Sequence, residues 1–290
     1  MIPAKSRVHL LFPPHEAKWV PAFAGTTKSA HALRTVNATR YVTPLREGGS
    51  LPAIVEADDQ GMYVLKFRGA GQGAKALIAE LVAGEIARAL GLPIPEIVFV
   101  ELDAELARTE PDPEIQDLIK ASAGLNLALD YLPGAVTFDP VVEHPDVDLA
   151  SAIVWFDALV TNVDRTPRNT NMLMWHRQLW LIDHGAALFF HHAWDDWLAR
   201  STAPFALIKD HVLLPLANRV AEVGETLAAR LDSRTIDAIV ENIPAAWLGG
   251  DVPFADHREH RDAYATWLKR RRDASRTLVE EAIRARARHL

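Results

Sequence analysis

The residues with the clearest chemical use lie between Asp164 and Asp183. Asp164 and Asn169 are five positions apart on a loop stiffened by Pro167, and Asp183 ends the second arm of a predicted hairpin, strands 172–175 and 179–182, turned at His176, Arg177 and Gln178. A hairpin returns its far end beside its start, so Asn169 and Asp183 are expected to meet. One amide and one carboxylate oxygen suit a hard cation such as Mg²⁺, which takes few protein ligands and completes its shell with phosphate and water. Asp164 would then stand where it can accept a proton from an attacking hydroxyl.

These groups need a scaffold, and regular signals begin at about Thr43. Residues 51–56 and 61–68 read as two strands joined by the polar turn Asp58-Asp59-Gln60-Gly61. In the second, Tyr63, Leu65 and Phe67 share one face and Val64, Lys66 and Arg68 the other, which predicts an antiparallel sheet with one wet side. A helix over 74–90 follows, with Leu77, Leu81, Ile86 and Leu90 on its apolar stripe and Gly91, Pro93 and Pro95 to end it. A strand over 97–102, a mixed acidic stretch over 104–123 and a strand over 125–132 complete the sheet-rich part. Beyond Pro133 the pattern is helical, with an apolar helix over 149–162 and later helices over 212–231, 233–242 and 258–289. The expected class is α+β: a sheet-rich lobe with one main helix (36–132) and a mostly helical lobe (133–290), with a cleft between them. Residues 1–35 lack a sustained period and carry four prolines; the segment is expected to be disordered, or to come from a misassigned start, because Trp19 to Thr27 resembles a translated genomic repeat.

Composition narrows the chemistry. The chain of 290 residues is 49% hydrophobic and 24% charged, which excludes collagen-like and wholly disordered classes. It has no cysteine, which removes disulfide frameworks, thiol nucleophiles and thiolate metal sites. A net charge of −7 argues against nucleic acid or an anionic membrane as the main partner. No apolar run is long enough to span a bilayer, and a cytoplasmic protein is expected.

The pattern Asp164-x-x-x-x-Asn169, a hairpin, then Asp183-x-Gly185 resembles the catalytic and metal loops of the protein-kinase-like superfamily, and Asp164-Arg165 in particular resembles phosphoinositide kinases and HipA-type kinases. The stretch Glu80 to Pro95 is similar to the helix of HipA-like kinases. The resemblance covers about Thr43 to Asp195. It implies a two-lobed kinase-like fold that transfers the γ-phosphoryl group of ATP to a hydroxyl acceptor, a protein Ser or Thr or a small molecule. It further implies that Lys66 holds the phosphates, Glu80 rather than Glu85 orients Lys66, Asn169 and Asp183 bind Mg²⁺, and Asp164 serves as the base. Gly48, Gly49 and Ser50 would cover the nucleotide phosphates, and Tyr131 and Leu132 would meet adenine. The sequence departs from protein kinases at Asn162-Val163, which stand for His-Arg, and at His184, which stands for the Phe of Asp-Phe-Gly.

Other readings compete. A kinase-like fold can serve as an inactive nucleotide-binding or interaction module. Gly69-x-Gly71-x-x-Ala74, with Glu101 or Asp103 beyond, has the form of a dinucleotide motif, although the charged face of the preceding strand speaks against it. His184, His191 and His192 lack a metal-binding motif, and Lys269-Arg270-Arg271-Arg272 reads as the polar side of a helix.

Overall fold

The computed structural model describes residues 33–45, 51–71 and 73–288. The proposed phosphate-covering residues Gly48, Gly49 and Ser50, and the N-terminal segment up to residue 32, lie outside the described residues.

Five strands, β1 (Thr35–Pro44), β2 (Ala53–Ala57), β3 (Met62–Lys66), β4 (Ile97–Leu102) and β5 (Gly124–Asp130), run in the order β1-β2-β3-β5-β4 and close into a barrel. Closure comes from a short parallel pairing of Thr35, Val36 and Asn37 with Phe99, Val100 and Glu101. The sheet expected to be antiparallel is so except for this one pairing, and β1 extends further toward the N-terminus than the regular signals from Thr43 indicate. Val36 and Ala38 are the buried residues of β1, so its alternation is faint, and its closing partner is distant in sequence. Inside, Val55, Leu65, Val98, Val100 and Ala128 pack together, joined by Ile115 and Ile119 of α2 (Pro113–Ala121). Helix α2 occupies the stretch read as mixed and acidic. Asp112 accepts from the Glu114 backbone N–H and Pro113 opens its first turn, an ordinary N-terminal signature.

Strand β3 keeps the expected alternation, with Tyr63, Leu65 and Phe67 buried and Val64, Lys66 and Arg68 partly exposed on the opposite face. It pairs antiparallel with both β2 and β5. That arrangement contradicts the dinucleotide reading, whose first strand lies in a parallel sheet. Gly71 of that motif and the neighbouring Gly73 have positive φ and turn the chain into α1 (Ala74–Leu90).

Helix α1 packs against the outer side of the barrel, where Ile97, Leu127 and Leu129 join its core. Gly84 permits this approach: a Cβ there would lie 2.4 Å from Ile97 Cδ1. On the other side lies a helical region built on α3 (Val147–Val160), buried from Leu149 to Val160. A small sheet joins β6 (Val136–Thr137), which precedes α3, to β7 (Met172–Trp175) and β8 (Gln178–Leu181), which follow it. The remaining helices are α4 (Trp197–Arg200), α5 (Val220–Arg230), α6 (Ser233–Glu241), α7 (His257–Asp273) and α8 (Ser275–Arg286). The single helix expected over 258–289 breaks at Ala274, where Ser275 Oγ takes the Trp155 indole N–H at 2.8 Å. Arg271 is no part of a solvated face: its guanidinium is buried on the carbonyls of Ala158, Leu159 and Ala203. Among the described residues no helix is long and apolar enough to cross a membrane.

Between the end of α7's first turn and the segment after Asp183 sits an aromatic cluster, in which His260 stacks between Phe254 and Tyr264. Burial, followed by the charges of Lys75 and His257, lowers His260 to about 4. Burial, His192, Lys75 and His260 also hold His191 well below its ordinary value. An unfolded histidine titrates near 6.5, so between there and about 4 the unfolded chain binds more protons. The histidine contribution is complete above the unfolded value and is lost as pH falls. The melting temperature should accordingly drop from pH 7.5 to 5, and His260→Phe, which preserves the ring stack, should flatten that drop in thermal melts followed by circular dichroism.

Candidate active site

The loop after α3 is shaped by a buried charge. Asp157, in the last turn of α3, accepts from Asn162 Nδ2 at 3.0 Å through one oxygen, and from Arg165 Nε at 2.6 Å and His211 Nε2 at 2.9 Å through the other. The Asp157 and Arg165 side chains are both 0% exposed. Burial alone would raise the Asp157 pKa, but Arg165 and then His211 override it and hold the carboxyl far below the usual range. Arg165 also donates to the Asn171 carbonyl, while its own carbonyl takes the Val212 N–H at 3.1 Å. The backbone on either side of the loop is thus fixed from beneath.

On this base Thr166 and Asn169 exchange backbone hydrogen bonds of 3.0 and 3.1 Å around Pro167, a tight turn that directs Asn169 back toward Asp164. Asp164 Oδ2 accepts from Asn169 Nδ2 at 2.8 Å and from Asn171 Nδ2 at 3.3 Å. Asn171, with φ of 47°, also donates to the Asp183 carbonyl at 3.4 Å. The hairpin therefore sets Asn171 directly against Asp183, and Asn169 joins the group through Asp164. Asn171 went unnoticed in the sequence because the spacing pattern assigns it nothing. Its left-handed backbone, which Asn tolerates better than most residues, appears only in three dimensions.

Across the cavity Lys66 Nζ lies 2.7 Å from Asp183 Oδ1 and 3.7 Å from Glu80 Oε2. Burial pulls the Lys66 pKa down, yet the charges of Glu80 and Asp183 more than offset it and raise it above the ordinary value. Glu80 shows the converse. Burial works to raise it, and Lys66 together with His184 lowers it to about 2. Glu85, the alternative partner, is buried beside Arg88 and does not face Lys66.

Lys66, Glu80, Asp164, Asn169, Asn171 and Asp183 line one cavity of 1450 Å³. Tyr131 and Leu132 line it too, although the Tyr131 N–H is already committed to the Met62 carbonyl at 2.9 Å. Lys66 and Arg168 against Glu80, Asp130, Asp139, Asp164 and Asp183 leave the cavity lining with an excess of negative charge. With Asn169 Nδ2 turned to Asp164, its carbonyl oxygen remains for a ligand, so the donor set fits a hard divalent cation. Among the described residues no group of three or more His, Cys, Asp or Glu that could hold a metal ion is found.

The family model of the HipA-like kinases matches residues 39–275. The chain belongs to the HipA-like kinase family. No curated protein matches it. Among solved structures, a proinflammatory kinase of Helicobacter pylori, CtkA, is similar to this HipA-like kinase over 88% of the present chain and 99% of its own, at 14% identity and a TM-score of 0.51. The Golgi casein kinase is similar over 87% of this chain and 75% of its own, at 12% identity and a TM-score of 0.52. A second structure of that kinase, with Mn and ADP bound, gives 0.51 at the same identity, over 87% and 74%. At such identities these likenesses show a shared kinase-like α+β fold.

The buried loop anchor predicts an asymmetry in stability. Asp157→Ala leaves Arg165 and His211 buried without their acceptor and should cost about 3–5 kcal/mol in urea unfolding. Glu56→Ala, which breaks the exposed Arg40–Glu56 pair at 2.7 Å, should leave the urea midpoint nearly unchanged.

Proposed function

We propose that this HipA-like kinase transfers the γ-phosphoryl group of ATP to a hydroxyl acceptor, protein Ser or Thr included, with the barrel and α1 as the nucleotide-facing lobe and the helical region as the second lobe. The observation that carries the reading is the convergence of Lys66, Glu80, Asp183 and Asp164 on one cavity, from a strand, a helix and two loops far apart in sequence.

The roles follow from the contacts. Val64, Leu129, Leu132, Met172 and Ile182 give the cavity an apolar wall suited to the flat face of adenine, with Tyr131 beside it. Lys66 exchanges Asp183 for a phosphate oxygen, which keeps its ammonium paired throughout. Asn169 and Asp183 would hold Mg²⁺, which when bound neutralises phosphate charge; the Mn and ADP in the Golgi casein kinase structure support a divalent metal beside the nucleotide. Asp164 has Oδ2 occupied by two asparagine amides, so its other oxygen is the one presented to the acceptor. As the acceptor oxygen forms its bond to the γ-phosphorus and the bond to the ADP oxygen breaks, Asp164 takes the hydroxyl proton. Most of the rate gain in such a site comes from positioning and charge neutralisation.

Asp164→Asn should bind Mg·ATP as the unchanged protein does, since Lys66, Asn169 and Asp183 remain, while radiolabelled phosphoryl transfer falls about 10²- to 10⁴-fold. If the unchanged protein binds Mg·ATP but labels neither itself nor any component of a cell lysate, it is a nucleotide-binding module and the transferase reading is wrong.

A further inference from the structure

His184 occupies the position where protein kinases carry a phenylalanine, and its surroundings assign it work that a phenylalanine could not do. The residue is 0% exposed. Its backbone N–H donates to Glu80 Oε2 at 2.9 Å, and its ring Nδ1 lies 3.3 Å from Glu80 Oε1. An ionised carboxylate only accepts, so Nδ1 carries the hydrogen. Both oxygens of Glu80 are therefore held by one residue, and that residue follows Asp183 in the chain. The ring packs edge-on against Phe156 of α3 with centroids 5.8 Å apart, and its Nε2 has no partner among the described residues.

This geometry bears on how Lys66 works. Its shortest contact is Asp183, and Glu80 is a full ångström further away. If Lys66 turns to phosphate it gives up Asp183, and only Glu80 remains to orient it. A buried carboxylate held by Lys66 alone would be free to follow the ammonium or rotate away from it. We propose that His184 is a positioning residue: through its backbone N–H and Nδ1–H it fixes the Glu80 carboxylate against Lys66, so that Lys66 stays oriented after leaving Asp183 for nucleotide phosphate. The inference rests on the kinase reading above and extends it to a residue that the resemblance marks only as a departure. Because the same residue ties the Asp183 segment to α1, the pairing of Lys66 with Glu80 is set by the fold before nucleotide arrives.

Two substitutions separate positioning from packing. His184→Phe keeps a ring against Phe156 and removes the donor. His184→Asn keeps an amide N–H near the place of Nδ1 and removes the ring. Mg·ATP affinity by calorimetry and thermal melting would be measured for both, beside the unchanged protein. The expected result is Mg·ATP binding weakened about tenfold in His184→Phe, in line with the loss of one hydrogen bond to a charged group, and binding near the unchanged value in His184→Asn despite its lower melting temperature. Undiminished affinity in His184→Phe overturns the proposal, as does equal loss in the two variants or loss in His184→Asn alone. Should the unchanged protein bind no Mg·ATP, the kinase reading fails and the inference falls with it; binding by the unchanged protein together with any of the other contrary results sinks the inference alone.

Discussion

A lysine ammonium taken almost out of water governs the rest of this site. Removing such a charge from solvent costs several kcal/mol unless ionic partners and hydrogen bonds replace the lost hydration. Lys66, 12% exposed, meets that requirement with Glu80 on one side and Asp183 on the other. The two partners are not equivalent. Glu80 is 1% exposed and fully committed to Lys66 and His184, whereas Asp183 is 41% exposed and has an oxygen to spare for a ligand. One carboxylate is therefore a fixed part of the frame and the other is available for exchange. The barrel, the long buried face of α1 and the Asp183 segment are all needed to bring those three groups together from residues as far apart as 66 and 183.

A second buried charge does the same service on the opposite side of the cavity. Asp157 and Arg165 lie beneath the loop that carries Asp164, and Arg165 reaches the Asn171 carbonyl. Asn171 then connects the two halves, with one amide group shared between the Asp164 carboxylate and the Asp183 carbonyl. In each half an ionic contact largely or wholly out of water sits behind a partly exposed carboxylate. The buried partners resist displacement because leaving either one unpaired is costly, while the exposed carboxylates keep oxygens free for ligands.

Much of this was legible in the sequence because it rests on short-range pattern. The alternation of β3 put Lys66 on the face opposite the core, the stripe and stop signals of α1 placed Glu80, and the spacing from Asp164 to Asn169 and on to Asp183 marked the two loops. What stayed hidden depends on long-range geometry. Closure of the barrel requires Val36 to pair with Val100, and nothing near β1 announces a partner so distant. Asp157 reads as one polar residue in an apolar helix until Arg165 and His211 are seen to converge on it. His211 lies one residue before the helix expected over 212–231, whose first part is instead a run of tight turns around Pro215. Asn171 and His184 were visible as residue types, and their roles emerged only from the positive φ of Asn171 and Asp183 and from the approach of α1.

The central claim is that the nucleotide takes Lys66 from Asp183 while Glu80 stays where His184 holds it. A crystal structure with Mg²⁺ and a non-hydrolysable ATP analogue tests it directly. The account predicts the analogue in the cavity, Lys66 Nζ within hydrogen-bond distance of a phosphate oxygen, and both Glu80–His184 contacts retained. A nucleotide bound elsewhere, or Lys66 still paired with Asp183 beside bound phosphates, would contradict it.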